Sequence, residues 1–304
     1  MRIYDLAMTH LLDADDFFIH RVQSHCAQAG LNFFLIEPLW VNGFLENLRT
    51  GGVSCRVLLN MHSDHHRPED VFYRLVHLAA ERGSKVIDPP DIAIAAFDKA
   101  RLHPRLIAAG ISVPPSIILS REEAGHFKLS TEQAAMIGAP FVIKPNMGYG
   151  RRGVVLDAMS EADLWRSVAA WDNSHYLLQR KIVPRHVAGR PAYFRVYYVF
   201  GDVWICWWNC HTDEYRRLAP GDLEESFVET LRRVVRQIAS LTGMNFFSSE
   251  IAVDESNQFV VIDYVNDQCH LLTQTANPRI GVPDDVVAEI AARLTAAVRT
   301  MIAR

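Results

Sequence analysis

The first hundred residues alternate short apolar runs with longer stretches in which apolar residues recur three and four positions apart. Short runs bounded by polar or glycine residues are typical of strands, and the three-to-four spacing is typical of helices. The pattern predicts strands over residues 2–6, 32–36, 55–59 and 85–87. It predicts helices over residues 13–29, 43–49 and 67–82. Strands that alternate with helices favour a parallel sheet covered on both faces.

Later in the chain, turn residues separate adjacent apolar runs, as at Gly201-Asp202 and at residues 254–257, which is typical of antiparallel hairpins. The predicted strands cover residues 116–119, 141–144, 176–181, 194–200, 203–207, 246–253 and 258–265. The predicted helices cover residues 97–110, 130–137, 161–171, 223–241 and 286–302. The pattern therefore predicts an α/β protein with α+β character in its C-terminal part.

The composition is that of a soluble globular protein with more than one lobe. The chain has 304 residues, of which 49% are hydrophobic and 22% are charged, and this length exceeds the usual size of one simple domain. A net charge of −4 argues against a nucleic-acid partner. The five cysteines are scattered and odd in number, as expected for reduced thiols in a cytoplasmic protein. No segment resembles a membrane span or a signal peptide, so we expect no membrane partner.

The most informative segment is 141–154, where an apolar run ends in Lys144 and is followed by Gly148, Gly150 and Gly153. Glycines let the backbone adopt positive φ and approach a ligand closely. Successive N–H groups of such a loop can bind phosphate oxygens beside a lysine. The lysine precedes the glycines, so this is not a Walker loop, and the absence of a clear helix start argues against a dinucleotide fingerprint. A hairpin turn without a ligand is the alternative.

Further candidate site residues lie before and after this segment along the chain. Lys99 lies at the start of a predicted helix, and Arg195 lies on a predicted strand. Glu250 lies on a late strand, and Asp263 and Asn266 end the next one. Each of them, taken alone, is also explained as a solvated or turn-capping residue.

Together with the lysine and glycine segment, these residues resemble the motifs of the ATP-grasp superfamily, in particular carboxylate–amine ligases of the glutathione synthetase and ribosomal-protein glutamate ligase type. The resemblance covers residues 96–275 and implies an ATP-grasp fold preceded by a parallel-sheet α/β domain. It implies three domains. These are an N-terminal domain over 1–95, a small lobe with a glycine-rich flap over 96–182, and a C-terminal lobe with a metal site over 183–304.

The resemblance also implies how ATP is held. Lys99 and Lys144 are expected to bind its phosphates from different lobes, because a compact ammonium suits a phosphate oxygen. The flap over the β- and γ-phosphates is expected to comprise Met147, Gly148, Tyr149, Gly150 and Gly153. The adenine hinge is expected to comprise Gln179, Arg180, Lys181 and Ile182. Relatives often carry an acidic residue in this hinge, so here we expect a backbone contact.

Arg195 is implied to hold the transferring phosphoryl group, and Glu250, Asp263 and Asn266 are implied to bind Mg²⁺, with two ions expected. Hard oxygen ligands of this kind suit magnesium. The family usually has one residue between the acidic residue and the asparagine, whereas this chain has two. In a regular strand Asp263 and Asn266 would point to opposite faces. Either a bulge re-aims them, or only one of them binds metal, with Asp267 as a spare ligand.

Three further groups have open interpretations. His62, His65 and His66 with Asp64 could form a metal site, a solvated loop or a substrate contact. The pair Cys206 and Cys210 is more consistent with alternation on a strand than with zinc. A basic set could bind an acidic substrate, or form a solvated surface; it comprises the loop 184–190, Arg216, Arg217 and Arg279.

The sequence thus predicts an ATP- and Mg²⁺-dependent enzyme that joins a small-molecule acid to an amine through an acyl phosphate. A kinase of the same fold that acts on a small polyol such as an inositol phosphate is one alternative. A non-catalytic nucleotide-binding protein is the other. A homodimer is a possible assembly, since related ligases commonly form dimers or tetramers.

Overall fold

The computed structural model describes residues 1–10, 16–62, 66–148 and 150–303. The N-terminal sheet contains four parallel strands in the order β2-β1-β3-β4. They are β1 (Arg2–Thr9), β2 (Phe33–Ile36), β3 (Val53–Leu59) and β4 (Lys85–Ile87). The connecting helices are α1 (Asp16–Gln28), α2 (Val41–Thr50) and α3 (Val71–Glu81). The parallel α/β prediction is confirmed, while the start expected for α1, at residue 13, lies outside the described residues.

Two helices, α4 (Pro90–Phe97) and α5 (Lys99–Ala108), lead into the rest of the chain. Asp98 separates them, and its carboxylate accepts hydrogen bonds from the backbone N–H groups of Ala100 and Arg101. A side chain of this type satisfies the free donors of a helix N-terminus. The sequence predicted a helix over 97–110, which contains α5, but did not predict α4, a short segment that is apolar apart from Asp91.

The small lobe is an antiparallel sheet in the order β5-β8-β6-β7. Its elements are β5 (Ser116–Ser120), α6 (Arg121–Ala124), α7 (Thr131–Ile137), β6 (Phe141–Pro145), β7 (Val155–Ala158), α8 (Glu161–Ala170) and β8 (His175–Arg180). Ser120 and Ser130 form capping boxes that begin α6 and α7. The alternate residues Phe141 and Ile143 of β6 pack into the lobe's own core, which leaves Lys144 on the opposite face.

The C-terminal lobe is a five-stranded antiparallel sheet in the order β13-β12-β11-β14-β15. Its elements are β9 (His186–Val187), β10 (Arg190–Pro191), β11 (Tyr193–Val199), β12 (Asp202–Trp208), β13 (Tyr215–Arg217), α9 (Glu225–Thr242), β14 (Phe246–Val253), β15 (Phe259–Asn266) and α10 (Asp284–Ala303). Helix α9 buries its apolar stripe on one face of the sheet. The other face shares a core with α1, α10 and the N-terminal sheet.

The last helix of the chain therefore packs on its first domain, and the boundaries at residues 95 and 182 stay predictions. None of the helices within the described residues is long and apolar enough to cross a bilayer.

A buried polar network joins α5, the small lobe and the C-terminal sheet. Gln179 donates through Nε2 to the hydroxyl of Tyr264 at 2.7 Å and to Ser116 Oγ at 3.1 Å. The Tyr264 hydroxyl also bonds Nδ1 of His103. A neutral His103 ring can accept the proton of this hydroxyl at Nδ1 while the hydroxyl accepts from Gln179. Burial lowers the pKa of His103 from 6.5 to about 4, which keeps the ring neutral.

Replacing His103 with glutamine should remove part of the acid sensitivity of folding. The pKa of His103 lies below its unfolded value, so its stabilisation is complete above pH 6.5 and is lost as the pH falls towards 4. Between pH 7.5 and pH 5 the wild type should lose about 2 kcal/mol more stability than the variant, from the linkage of one such group. Chemical denaturation at the two pH values measures this difference. Equal losses in both proteins would show that His103 does not titrate on unfolding.

Candidate active site

A row of three charged side chains crosses the C-terminal sheet. Arg195 on β11 lies directly opposite Glu250 on β14, and Glu250 lies directly opposite Asp263 on β15. Residues directly opposite in an antiparallel sheet point to the same face. The guanidinium of Arg195 bonds the carboxylate of Glu250, and the exposed fractions of the three side chains are 7%, 15% and 16%. The row is therefore a nearly desolvated group of charges on the sheet face opposite α9.

The pairing of β15 with β14 contains two register shifts. The one between Asp263 and Asn266 decides which face of the sheet Asn266 lies on. Asn266 pairs with Ser248, and Asp263 pairs with Glu250, so three positions on β15 match two on β14. This extra residue is a bulge, and it returns Asn266 to the face of Asp263. The amide nitrogen of Asn266 donates to the carbonyl of Ser248 at 3.3 Å. The wide spacing of the asparagine is thus compatible with a shared face, which is the first of the two outcomes left open by the sequence.

Asp267 is the residue that follows β15. Burial raises the pKa of Asp88, the residue that follows β4, to about 7, and the nearby charge of Asp267 acts in the same direction. The Asp267 carboxylate also accepts the backbone N–H of Gln268 at 3.0 Å. The role of Asp267 as a spare ligand stays a prediction.

Two lysines from different elements approach the β15 end of the row. Lys99, the first residue of α5, lies with Nζ 3.6 Å from Oδ1 of Asp263. Lys144 on β6 donates through Nζ to the carbonyl of Ile262 at 2.7 Å. Burial acts to raise the pKa of Asp263, but Lys99, Lys144 and Arg195 outweigh it and hold that pKa below its usual range. Asp263 is therefore ionised at neutral pH.

Burial raises the pKa of Glu250, and the charge of Asp263 acts in the same direction, although Arg195, Lys144 and Arg151 oppose the shift. The row and the two lysines bring together five of the side chains that the sequence singled out. They come from the small lobe, the C-terminal lobe and α5. This convergence creates a compact site with three cations and two carboxylates.

The donors of this site fit a divalent cation that is shared with a phosphorylated ligand. Within the described residues, Oδ1 of Asp263 and Nε of Arg195 are buried and make no hydrogen bond. The same part of the chain holds no group of three or more His, Cys, Asp and Glu residues arranged for a metal. Magnesium usually takes one or two carboxylates and completes its shell with phosphates and water. Glu250, Asp263 and the amide oxygen of Asn266 provide that kind of partial shell.

The glycine loop between β6 and β7 bridges the two lobes. The backbone of Met147 donates to Asn173 Oδ1 at 3.2 Å and accepts from Trp171 Nε1 at 3.1 Å. Further along the loop, Arg151 bonds the carbonyl of Cys210 at 2.9 Å and the carboxylate of Asp213 at 2.6 Å. The loop is thus held by the small lobe at its start and by the C-terminal lobe near its middle. Tyr149, an expected flap residue, lies outside the described residues.

The expected hinge residues are largely engaged within the protein. The side chain of Arg180 donates to the carbonyl of Met136, and its backbone N–H donates to Pro115 at 2.9 Å. Lys181 pairs with Asp157. Ile182 accepts at its carbonyl from the hydroxyl of Tyr193 at 3.2 Å. An adenine contact through this segment stays a prediction.

The remaining sequence candidates do not form a metal site in the described residues. His62 is buried and stacks on Phe72 with 3.6 Å between ring centroids, and His66 packs against Phe97 at 5.2 Å. Asp64 and His65 lie outside the described residues. The free thiol of Cys206 is buried in the sheet core, as its alternation on a strand had indicated.

Sequence reasoning missed the residues that support the loop, above all Trp171 and Asn173. The signal was present in Gly153, whose φ is +69°. A Cβ at this position would lie 2.6 Å from Cβ of Trp171 and 2.8 Å from Cγ of Pro145. A glycine that tolerates no Cβ indicates a close neighbour, although its identity is not encoded nearby.

Substituting the acidic centre of the row should strongly destabilise the protein. In Glu250→Met, Arg195 is left buried without its carboxylate, and breaking a buried pair in this way costs about 3–5 kcal/mol. The double variant Arg195→Met with Glu250→Met removes both charges and should recover most of the loss. Urea denaturation of the two variants and the wild type measures the free energy of unfolding. Equal loss in the single and double variants would rule out the unpaired arginine as the cause.

The two glycines at the end of the loop should differ in their tolerance to alanine. Both have positive φ, but a Cβ at Gly150 meets no atom within 4 Å. Gly150→Ala should therefore cost only about 1 kcal/mol of backbone strain. Gly153→Ala adds a steric overlap with Trp171 and Pro145 and should lower the melting temperature further. A thermal melt with both variants tests this order, and its reversal would show that Trp171 does not pack on the loop as described.

No family model matches the sequence, and no curated protein matches it. Solved structures do match over nearly the whole chain. An ATP-grasp RimK domain protein from Sphaerobacter thermophilus is 16% identical, with a TM-score of 0.63 and coverage of 97% of this chain and 98% of the other. D-alanine–D-alanine ligase from Bacillus anthracis, complexed with ATP, is 14% identical, with a TM-score of 0.66 and coverage of 99% of both chains.

A third similar structure is the ATP-grasp ligase PsnB, complexed with a minimal precursor, Mg and ADP. It is 15% identical, with a TM-score of 0.60 and coverage of 99% of both chains. At these identities the likeness establishes the fold. The three-part architecture and these matches lead to one conclusion: the chain has the ATP-grasp fold.

Proposed function

We propose that the protein is an ATP- and Mg²⁺-dependent ligase that joins a small carboxylic acid to an amine. A carboxylate oxygen of the acid would attack the γ-phosphorus of ATP, forming an acyl phosphate and releasing ADP. The amine would then attack the acyl carbon, forming the amide and releasing phosphate. The observation that carries this proposal is the convergence of Lys99, Lys144 and Arg195 on Glu250 and Asp263.

The three cations have distinct roles in this reaction. Lys99 and Lys144 would bind phosphate oxygens, because each is a compact ammonium carried by a different element. Arg195 is held rigidly in the sheet with its Nε group buried and without a hydrogen bond to any described residue. A fixed guanidinium of this kind can stabilise the charge that develops on a transferring phosphoryl group. Catalysis would then depend on positioning and charge neutralisation rather than on a protein nucleophile.

Glu250, Asp263 and Asn266 would hold Mg²⁺, and we expect two ions. Bound magnesium would neutralise phosphate charge and orient the triphosphate. Asp263 suits this role because it stays ionised although it is buried. Glu250 lies between Arg195 and Asp263. The positive charge of a bound Mg²⁺ would lower its pKa and keep its carboxylate ionised.

The loop from Met147 to Gly153 would cover the phosphates. Gly150, Arg151 and Gly153 have positive φ, a conformation that lets consecutive backbone N–H groups form an anion-binding concavity. The contacts of Arg151 with Cys210 and Asp213 close the loop against the C-terminal lobe. A closed loop would exclude water from the acyl phosphate, which is prone to hydrolysis.

The solved structures favour a ligase over a kinase. The similar structures include a D-alanine–D-alanine ligase complexed with ATP and an ATP-grasp ligase complexed with Mg, ADP and a minimal precursor. We extend from them the use of ATP and Mg²⁺ and the joining of a carboxylate to an amine. The acid and amine are left open by this comparison.

Replacing Lys144 with alanine should abolish nucleotide turnover. Turnover is measured as phosphate release with ATP, Mg²⁺ and pairs of amino acids and small acids. Loss of one charge-assisted phosphate contact that strengthens in the transition state should reduce the rate by about a hundredfold or more. Lys128, an exposed lysine after α6, provides the matched control, and Lys128→Ala should keep the wild-type rate. A Lys144→Ala variant that folds and retains full turnover would contradict the phosphate role.

The products of the same screen decide between the three functions. A ligase releases ADP only with both an acid and an amine, and mass spectrometry detects the amide. ADP release with a phosphorylated alcohol and no amine would instead identify a kinase. Nucleotide binding without turnover under every substrate pair would identify a non-catalytic nucleotide-binding protein.

A further inference from the structure

A pocket with three arginines lies at the β13 edge of the C-terminal sheet. Its volume is about 370 Å³, which lies within the range of small-molecule sites. Arg190 comes from the short β9–β10 hairpin, Arg216 from the edge strand β13, and Arg279 from the segment before α10. Three separate parts of the chain thus bring a guanidinium to one cavity.

The positive charge of the pocket is largely uncompensated. Glu214 is its acidic lining residue, and that carboxylate accepts a hydrogen bond from the hydroxyl of Thr212 at 3.1 Å. Arg216 has a distant partner in Asp222, at 3.9 Å, and its side chain is 49% exposed. The charge of Arg190 also acts on Asp222, but the side chains of Arg190 and Arg279 form no hydrogen bond or ion pair of their own with any described residue. The guanidinium groups are therefore available for an anionic ligand.

Arg217, which the sequence grouped with these arginines, has another role. It bonds Glu289 at 3.0 Å and also Asp285, both on α10. This pairing fixes α10 to the sheet and removes Arg217 from the basic set. The difference between Arg216 and Arg217 follows from their adjacent positions on β13, since neighbouring strand residues point to opposite faces.

The pocket adjoins the row of charges. Its walls include the aromatic rings of Trp208 and Tyr215, which lie opposite each other on β12 and β13. The guanidinium of Arg195 lies 5.7 Å from the ring centroid of Trp208. Tyr215 is buried, and the charges of Arg195 and Glu250 both act on its hydroxyl. Arg216 itself lies beside Trp207 on the sheet face away from the row, so a ligand held by it would reach Arg195 around the ends of β12 and β13, where Asn209 and Glu214 line the pocket, and past these two rings.

We infer that this pocket binds the acidic end of the substrate, a small molecule that carries an anionic group in addition to the one that reacts. Guanidinium groups bind carboxylates and phosphates with the same forked geometry, so either group satisfies the three arginines. The assignment of the ligand as a substrate rests on the proposed function. The binding of an anionic group in the pocket does not.

Calorimetric titration of the full chain without nucleotide tests this inference. The probes are two matched pairs, glutarate against glutaramide and glycerol 3-phosphate against glycerol. One anionic probe should bind about tenfold or more tightly than its neutral partner, the difference expected of one charge-assisted hydrogen bond. Which of the two binds identifies a carboxylate or a phosphate as the anionic group.

Variants place the binding in the pocket. Arg216→Gln and Arg279→Gln should each weaken the anionic probe by about tenfold, and together should abolish its binding. Arg299→Gln, on the exposed face of α10, is the matched control and should leave it unchanged. Binding that is indifferent to charge in both probe pairs, or that survives in the double variant, would overturn the inference.

Lys144→Ala separates the pocket from the phosphate site. Anion binding that persists in this variant lies outside the phosphate site and supports the pocket. Loss in Lys144→Ala with retention in the double arginine variant would assign the binding to the phosphate site and overturn the pocket. If the wild type binds the anionic probe but not ATP, the pocket stands and the proposed ligase function fails.

Discussion

The burial of two adjacent carboxylates, Glu250 and Asp263, is the constraint on which the arrangement of this molecule depends. Two like charges side by side in a poorly solvated place are unfavourable unless cations are supplied at close range. Arg195 supplies one from the same sheet, and Lys99 and Lys144 supply two from outside it. The C-terminal sheet therefore cannot form its site alone. The small lobe and α5 must dock before the charges are balanced.

Because the buried carboxylates need cations from other lobes, the contacts between the lobes are polar and specific. Lys144 reaches the carbonyl of Ile262, next to Asp263, and Gln179 reaches Tyr264, on its other side. Both contacts end on β15, so the position of the small lobe is set by the strand that carries the acidic residue. On the remaining side, Asp88 accepts the backbone N–H groups of Asn245 and Phe246 at the start of β14. The N-terminal domain is fixed to the neighbouring strand in the same way.

The sequence was most informative where local pattern and structure coincide. The limits of β14 follow from the apolar residues at its two ends and the polar turn after it, and those of β4 from a short run between glycine and proline. It could not predict the bulge that aligns Asn266 with Asp263, because register depends on the partner strand and the core beneath it. It indicated Lys144 and Gly153 from the local pattern of an apolar run followed by a lysine and three glycines. Trp171, whose side chain leaves no room for a Cβ at position 153, lies further along the chain, and no local sequence signal identifies it as the neighbour of Gly153.

The surroundings of the row change along its length. From Asp263 the register continues through Glu250 and Arg195 to Cys206 on β12 and Arg217 on β13. The β15 end carries the carboxylates and lysines that suit phosphate chemistry. At the β13 end, Arg217 is paired with Asp285 and Glu289 on α10, while its neighbour Arg216 lies on the opposite face and lines the pocket. Arg195 lies between the two ends, and its guanidinium is 5.7 Å from the ring centroid of Trp208, which lines the pocket. Under the proposed function, one sheet would hold the phosphates at its β15 side and the acid at its β13 edge, so that the two would meet near Arg195.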